Sequence, residues 1–237
     1  GKEKITEISA AEHLAALRSE QKDLVELSFS PICGYGEHGA IVHYSATEES
    51  DVELKPESFF LVDAGGHYLD GTTDTTRTFA MGPLTDEQKQ MYTAVLRGNL
   101  NLAHARFLKG CSGYNLDVIC RTPLWQMGMD YKHGTGHGVG YLLNVHEGPN
   151  AFRWKLQDGA NAAELEPGMV TTDEPGVYLE GKYGIRLENE LLCVEGPKNE
   201  YGQFLEFEIL TLIPWDLDAV DPARMTEQER TWLNEYH

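Results

Sequence analysis

FFLVDAGGHYLDGTTDTTRTF, residues 59–79, is the stretch on which the fold turns. Phe59, Phe60, Leu61 and Val62 make a short apolar run of the kind that forms a strand buried on both faces. The run ends at Asp63, Gly65 and Gly66 loosen the backbone, and Asp70-Gly71 is a turn signal. Residues 72–79 return rich in threonine, as suits a strand, and carry a second aspartate, Asp74. In such a hairpin Asp63 and Asp74 sit near each other on adjacent strands. Two carboxylates so placed repel unless a proton or a cation lies between them. The rest of the chain is therefore read for further ligands.

Composition narrows the possibilities. The chain has 237 residues, 41% of them hydrophobic, enough for one large domain or two small ones with a real core. A formal charge of -19 argues against a nucleic-acid backbone or an anionic membrane as partner. No apolar run approaches the roughly 18 residues that span a bilayer. The start, with Lys2, Glu3 and Lys4, does not resemble a signal peptide. Cys33, Cys111, Cys120 and Cys193 are scattered without a CxxC pair and read as reduced core cysteines of a cytoplasmic protein. Gly1 reads as the scar of a cleaved tag, and the abrupt start predicts a piece of a longer protein.

Around the hairpin, Ser9 and Glu12 have capping-box spacing and predict a helix over 9–21. Residues 25–29 read as a strand, 31–39 as a loop, 40–44 as another strand and 48–56 as an acidic surface loop. Thr85 and Gln88 open a long helix to about residue 107. A third helix covers 115–127 and should kink or split at Pro123. Strands return at 169–172 and 185–194, and Thr226 with Glu229 opens a last short helix. Strands and helices mixed without strict alternation predict α+β in one domain.

Four later segments carry candidate chemistry. His133 and His137 are four apart, but Gly134, Gly136, Gly138 and Gly140 make a helix there unfavourable. The better reading is a strand or loop whose missing side chains leave room for a substrate. His146-Glu147-Gly148-Pro149 begins like a zinc-protease motif but lacks its second histidine, so His146 is a candidate for touching substrate. Pro175 forces Glu174 into an extended conformation, which can aim its side chain from a strand end into a pocket. Arg186, Glu188 and Glu190 alternate with Ile185, Leu187 and Leu191 and so share one face of a strand. Each of these has an ordinary reading as a charged turn or salt bridge. Taken together, Asp63, Asp74, Glu174 and Glu188 supply four negative charges and His137 one neutral nitrogen, which balances two divalent cations. Oxygen ligands with one imidazole suit manganese, with cobalt or zinc as alternatives.

The motifs VDAG with an aspartate eleven positions after its own, HGTGHGVG, NVHEGP, TDEPG and GIRLEN, in that order, resemble the pita-bread metallopeptidases. That family includes methionine aminopeptidase, prolidase and aminopeptidase P. The resemblance runs from about residue 34 to the end and is nearest to the cytosolic aminopeptidase P branch, through DGTTDTTRTF, HGTGHGVGYLLNVHEGP and WLNEYH. It implies a curved, mainly antiparallel sheet covered by helices, with residues 1–237 as a single catalytic domain. It implies metal ligands at Asp63, Asp74, His137, Glu174 and Glu188, with Asp74 and Glu188 bridging two ions, Asp63 on one, and His137 and Glu174 on the other. Substrate-binding histidines fall on His43, His133 and His146, and supporting positions on Tyr178 and Arg186. The implied reaction is attack by a metal-bridging hydroxide on the carbonyl before a proline nitrogen. Glu174 would be the general base, with His146 and His43 steadying the intermediate. A peptide with an Xaa-Pro N-terminus is the implied substrate, and a homodimer the implied full-length assembly. Two alternatives stand beside this: a dipeptidase confined to Xaa-Pro, and a non-catalytic protein-binding module of the same fold.

Overall fold

In the computed structural model, residues 4–156 and 162–237 are described. The charged start at Lys2 and Glu3 lies outside them. Helix α1 (Glu7–Ser19) is followed by strands β1 (Leu24–Leu27) and β2 (Ile32–Tyr35), then by the hairpin β3 (Phe59–Tyr68) and β4 (Gly71–Ala80). Next come α2 (Asp86–Ala103), β5 (Phe107–Leu108), α3 (Gly113–Trp125), β6 (Gly136–Val139) and β7 (His146–Phe152). Strands β8 (Val170–Asp173), β9 (Gly176–Leu179), β10 (Tyr183–Arg186), β11 (Asn189–Asn199) and β12 (Gly202–Ile209) precede α4 (Glu227–Tyr236).

All strand pairings are antiparallel. One sheet centres on β3, which pairs with β1, β2 and β4, and a six-stranded sheet runs β5-β12-β11-β8-β6-β7. Helix α2 packs behind both. Tyr92, Val95, Leu96 and Leu100 meet Phe59, Ile185 and Leu187 in one core, while Leu102 and Ala103 join Leu116, Phe152, Leu191 and Leu205 in a second. Leu96, Leu100 and Leu102 are each essentially without exposure, and burial of such a side chain contributes roughly 1.5–3 kcal/mol. Helix α4 docks on α2 through Glu229, which takes bonds from Arg97 (2.8 Å) and Asn101 (3.0 Å).

Several local readings are corrected. The first helix is capped by Thr6, and Ser9 closes the box as its third residue. Strand β3 does not end at Asp63 but continues through both glycines to Tyr68, because a side chain on Gly65 would collide with the Thr73 carbonyl and none is present. Residues 31–39 contain β2, whereas 40–44 form no strand. There a 3-10 turn (Gly36–Ala40) leads into a bend that stacks Tyr44 on His38, with ring centroids 4.5 Å apart. Buried Glu7 holds that bend by accepting from the Tyr35 amide and the Tyr44 hydroxyl. The long helix stops at Ala103, and residues 107–108 are a strand. Pro123 does not split α3, since it comes so near the end that little of the ladder follows it. The reading of 185–194 as one strand fails because the chain changes partners at Leu187 and Glu188.

Candidate metal centre

The hairpin register places Asp63 opposite Thr76 and Asp74 opposite Gly65, so the two aspartates are diagonal neighbours on one face. His137 comes from β6, Glu174 directly follows β8, and Glu188 sits in the two-residue crossing from β10 to β11. These segments are brought in by β8, which pairs with β6 through Thr171 and Gly138 and with β11 through Asp173 and Asn189. All five side chains line one cavity of about 240 Å³. The His137 Nε2 lies 3.2 Å from an Asp74 oxygen and 3.5 Å from a Glu174 oxygen. Ligand atoms of Asp74, His137 and Glu188 all lie within 4.8 Å of one another.

The glycines around His137 serve a different purpose from the room for substrate that the sequence suggested. A Cβ on Gly136 would stand 1.7 Å from the Thr172 carbonyl oxygen, and one on Gly138 would stand 2.0 Å from that of Glu147. The missing side chains admit neighbouring backbone, and that close approach sets His137 against the carboxylates.

The electrostatics of the cluster fit a cation pair. Burial, then the charges of Asp63 and Glu174, push the Asp74 carboxyl well above its ordinary range. Glu188 is pushed well up by burial and by Asp74 and Asp63. Burial and Glu188 raise Glu174 to about 8, and burial raises Glu190, whose Oε1 accepts from the Asp74 amide, to about 7. The His137 Nδ1 faces the Gly138 carbonyl at 2.9 Å and must donate to it, which leaves the Nε2 lone pair aimed at carboxylate oxygens. Asp63 Oδ2 accepts from Arg186 at 2.7 Å, while its buried Oδ1 has no hydrogen-bond partner among the described residues. Acceptors facing acceptors, with one orphaned carboxylate oxygen, is the donor set that hard divalent ions satisfy.

The other expected residues divide into two groups. His43 and His146 are exposed and line the same cavity, with the His146 ring edge-on to His137 at 4.2 Å. His133 instead lines a neighbouring cavity of about 700 Å³ and is joined to the cluster indirectly. Its Nε2 bonds the Tyr178 hydroxyl (2.8 Å), which accepts from Arg186 (3.1 Å), which in turn holds Asp63. Burial lowers His133 to about 4, so its ring is neutral near pH 7. Sequence reading missed Thr76, whose hydroxyl donates to Glu188 at 2.7 Å, and Arg77, which bonds the Glu188 carbonyl and stacks on Trp215. The threonine-arginine alternation of TTRTF was the available signal, since a buried arginine in a strand needs backbone or acidic partners.

The raised carboxyls make the metal-free fold sensitive to pH. In the unfolded chain Glu174 and Glu190 ionise near 4.5, whereas in the fold they hold their protons to about 8 and about 7. The folded state therefore binds more protons in that window, and stability is lost as pH rises from about 4.5 to 8, by ~1.4 kcal/mol per unit for each proton retained. With chelator present, the unfolding temperature should fall from pH 5 to pH 8, and manganese should restore it increasingly towards pH 8. A metal-free unfolding temperature that rises over this range would contradict the assignment.

Comparison with known proteins gives a consistent picture. The sequence profile of metallopeptidase family M24 matches residues 2–195, and that of the C-terminal region of peptidase M24 matches residues 203–237. A probable Xaa-Pro aminopeptidase P of Botryotinia fuckeliana is 44% identical over 239 residues, covering 100% of this chain and 36% of that protein. Aminopeptidase P1 of Arabidopsis thaliana is 42% identical, covering 99% of this chain and 36% of its own length. The chain thus spans about a third of the relatives it matches. A crystal structure of X-prolyl aminopeptidase from Caenorhabditis elegans, described as a cytosolic enzyme with a di-nuclear active site, has a TM-score of 0.92 at 42% identity. It covers 100% of this chain and 38% of that one. The Xaa-Pro dipeptidase of Bacillus anthracis has a TM-score of 0.73 at 30% identity, over 90% of this chain and 54% of its own. The fold is the α+β pita-bread architecture that the motifs imply.

Proposed function

This chain belongs to metallopeptidase family M24, and from that premise we propose that it is the catalytic domain of a two-metal aminopeptidase releasing the N-terminal residue from peptides with proline second. The observation that carries this reading is the convergence of Asp63, Asp74, His137, Glu174 and Glu188 on one cavity. These five would hold two divalent cations, with Asp74 and Glu188 shared, Asp63 on one ion, and His137 and Glu174 on the other. One imidazole among carboxylates favours manganese, with cobalt and zinc next. When bound, such a pair lowers the pKa of water and polarises a peptide carbonyl.

The chain's own groups do the rest. Glu174, extended by the proline after it, is the general base that accepts the proton of the attacking water. His146 and His43, at the cavity wall, bind the peptide and steady negative charge as it develops on the carbonyl oxygen. Arg186 holds Asp63 in place and is itself held by Tyr178 and, behind it, His133. By the family resemblance, the free amino terminus of the substrate is held near the metals and the acidic groups. The preference for proline rests on the family resemblance. So do the homodimer and the cytoplasmic location, the latter supported by the cytosolic relative; no helix among the described residues is long and apolar enough to cross a membrane.

The manganese-loaded chain is to be assayed on Xaa-Pro-Pro peptides, Xaa-Pro dipeptides and Met-Ala peptides. Cleavage of the Xaa-Pro-Pro series is the expected result. Turnover confined to dipeptides would favour the dipeptidase reading, which the likeness to the Bacillus anthracis enzyme keeps in view. No uptake of manganese, cobalt or zinc would end the two-metal reading altogether.

A further inference from the structure

Glu174 and Glu188 both lie outside the strands, one just past β8 and the other between β10 and β11. Their own amides are tied to different parts of the chain, Glu174 to the Thr135 carbonyl (2.7 Å) and Glu188 to the Thr76 carbonyl (3.1 Å). The β8–β11 pairing ends at Asp173 and Asn189 on one side of the two glutamates and the β9–β10 pairing at Gly176 and Arg186 on the other, and in the gap between them the Leu187 amide bonds the Pro175 carbonyl (3.2 Å). A side chain from behind completes the link. Asn99, on the buried face of α2, donates from Nδ2 to the carbonyl of Asp173 (2.8 Å) and to that of Leu187 (3.3 Å). These are the residues immediately before Glu174 and Glu188.

Nothing else about the position favours asparagine. Asn99 has no exposed surface and falls between Val95 and Leu102 in the apolar stripe of α2. Asparagine is a mediocre helix former, and the Asn99 Oδ1 is buried with no hydrogen-bond partner among the described residues. The orientation of the amide is fixed by its partners, since exchanging oxygen and nitrogen would set an acceptor against two carbonyls. A leucine would fill the same space with no orphaned atom of its own, and what it would lose is the donor to these two carbonyls.

We propose that Asn99 is a positioning residue that sets the distance between Glu174 and Glu188 and thereby tunes the affinity of the site for its cations. This rests on reading the two glutamates as metal ligands. The bonds act on the backbone just before each glutamate, so their loss lets the two carboxylates drift apart without unfolding the sheet. Partners that orient ligands from behind typically contribute 10–100-fold to metal affinity.

The test uses the 237-residue chain with two substitutions and a control. Asn99→Asp keeps the shape while removing one donor if protonated and both if ionised. Asn99→Leu removes both donors and fills the volume. Leu102→Ala, three residues on and equally buried, weakens the same helix without touching either loop. Manganese affinity is measured by calorimetry well below each unfolding temperature, and amide hydrogen exchange is followed in the metal-free chain. The expected result is an affinity loss on the order of 10–100-fold in the Asn99 variants, with Leu102→Ala at the wild-type value. The Glu174 and Glu188 amides should exchange faster, relative to the rest of β8 and β11, in the Asn99 variants and not in the control. If Asn99→Leu does not fold, the isosteric Asn99→Asp carries the measurement. Wild-type affinity in the Asn99 variants, or an equal loss in Leu102→Ala, would overturn the proposal. If the wild-type chain takes up no metal, the two-metal reading fails, and exchange at the two amides then decides the role of Asn99 alone.

Discussion

Asp74→Asn should abolish measurable manganese uptake while making the metal-free chain more stable at pH 8. The two effects have one origin. Asp74 is buried, and among the described residues no hydrogen-bond donor reaches its carboxylate apart from His137 Nε2 at 3.2 Å, which donates only if protonated. Its neighbours are Asp63, Glu174 and Glu190, whose charges oppose its ionisation. In the unfolded chain the aspartate ionises freely, so at pH 8 folding must either keep it protonated or crowd negative charges together. Both cost stability, and an amide of the same shape removes that cost. The same amide withdraws a charge from the centre of the proposed site. Substitutions behind a ligand already cost 10–100-fold in affinity, so loss of a shared ligand should exceed about 100-fold. The measurement pairs metal titration with thermal unfolding in chelator. A structural aspartate would give the reverse pattern, with uptake intact and the metal-free fold weakened, and that outcome would remove Asp74 from the site.

How much of this was legible in the sequence depends on the range of the interactions. Asp63 and Asp74 could be brought together from residues 59–79 alone, because a hairpin with period-two alternation makes them diagonal neighbours whatever the rest of the chain does. Glu174 could be aimed by its proline, and His137 by the exclusion of a helix. Contacts made between distant elements were not legible. Glu7 stands in the first turn of a helix, where acids are ordinarily solvated, yet it is fully buried under Tyr35, His38 and Tyr44. The run at 40–44 looks like a strand because it is apolar, but Ile41 and His43 are exposed and only Tyr44 is buried, where it reaches that glutamate. The break at Leu187 and Glu188 was hidden for the same reason. Alternation continues across it, and only the partners change, from β9 on one side to β8 on the other. Asn99 did leave a signal, a polar residue in the apolar stripe of α2, but its meaning needed the two carbonyls it reaches.

Arg121→Met should cost about 3–5 kcal/mol, the largest loss of stability expected from any single substitution considered for this chain. Arg121 is buried in α3, and its guanidinium donates to Asp117 (2.6 Å), Asp130 (2.7 Å) and the carbonyls of Tyr131 (2.7 Å) and His133 (2.8 Å). It also lies 3.9 Å over the Tyr131 ring. Asp130 is partly exposed and can turn to water, but Asp117 is fully buried and its other oxygen already lacks a partner among the described residues. Methionine fills the space and leaves an unpaired carboxylate in the core, which is the expensive half of breaking a buried ion pair. The unfolding temperature should fall on the order of 10 °C for a chain of this size. Adding Asp117→Leu should recover most of that loss, because a buried pair replaced by apolar groups is often neutral. What the double variant cannot restore is the tether to the Tyr131 and His133 carbonyls. Recovery of stability together with faster amide exchange across 130–135 would therefore separate the two duties of Arg121. One is neutralising Asp117; the other is fixing the segment that leads into β6 and His137. If Arg121→Met costs under about 1 kcal/mol, the pair with Asp117 is not what holds this corner together.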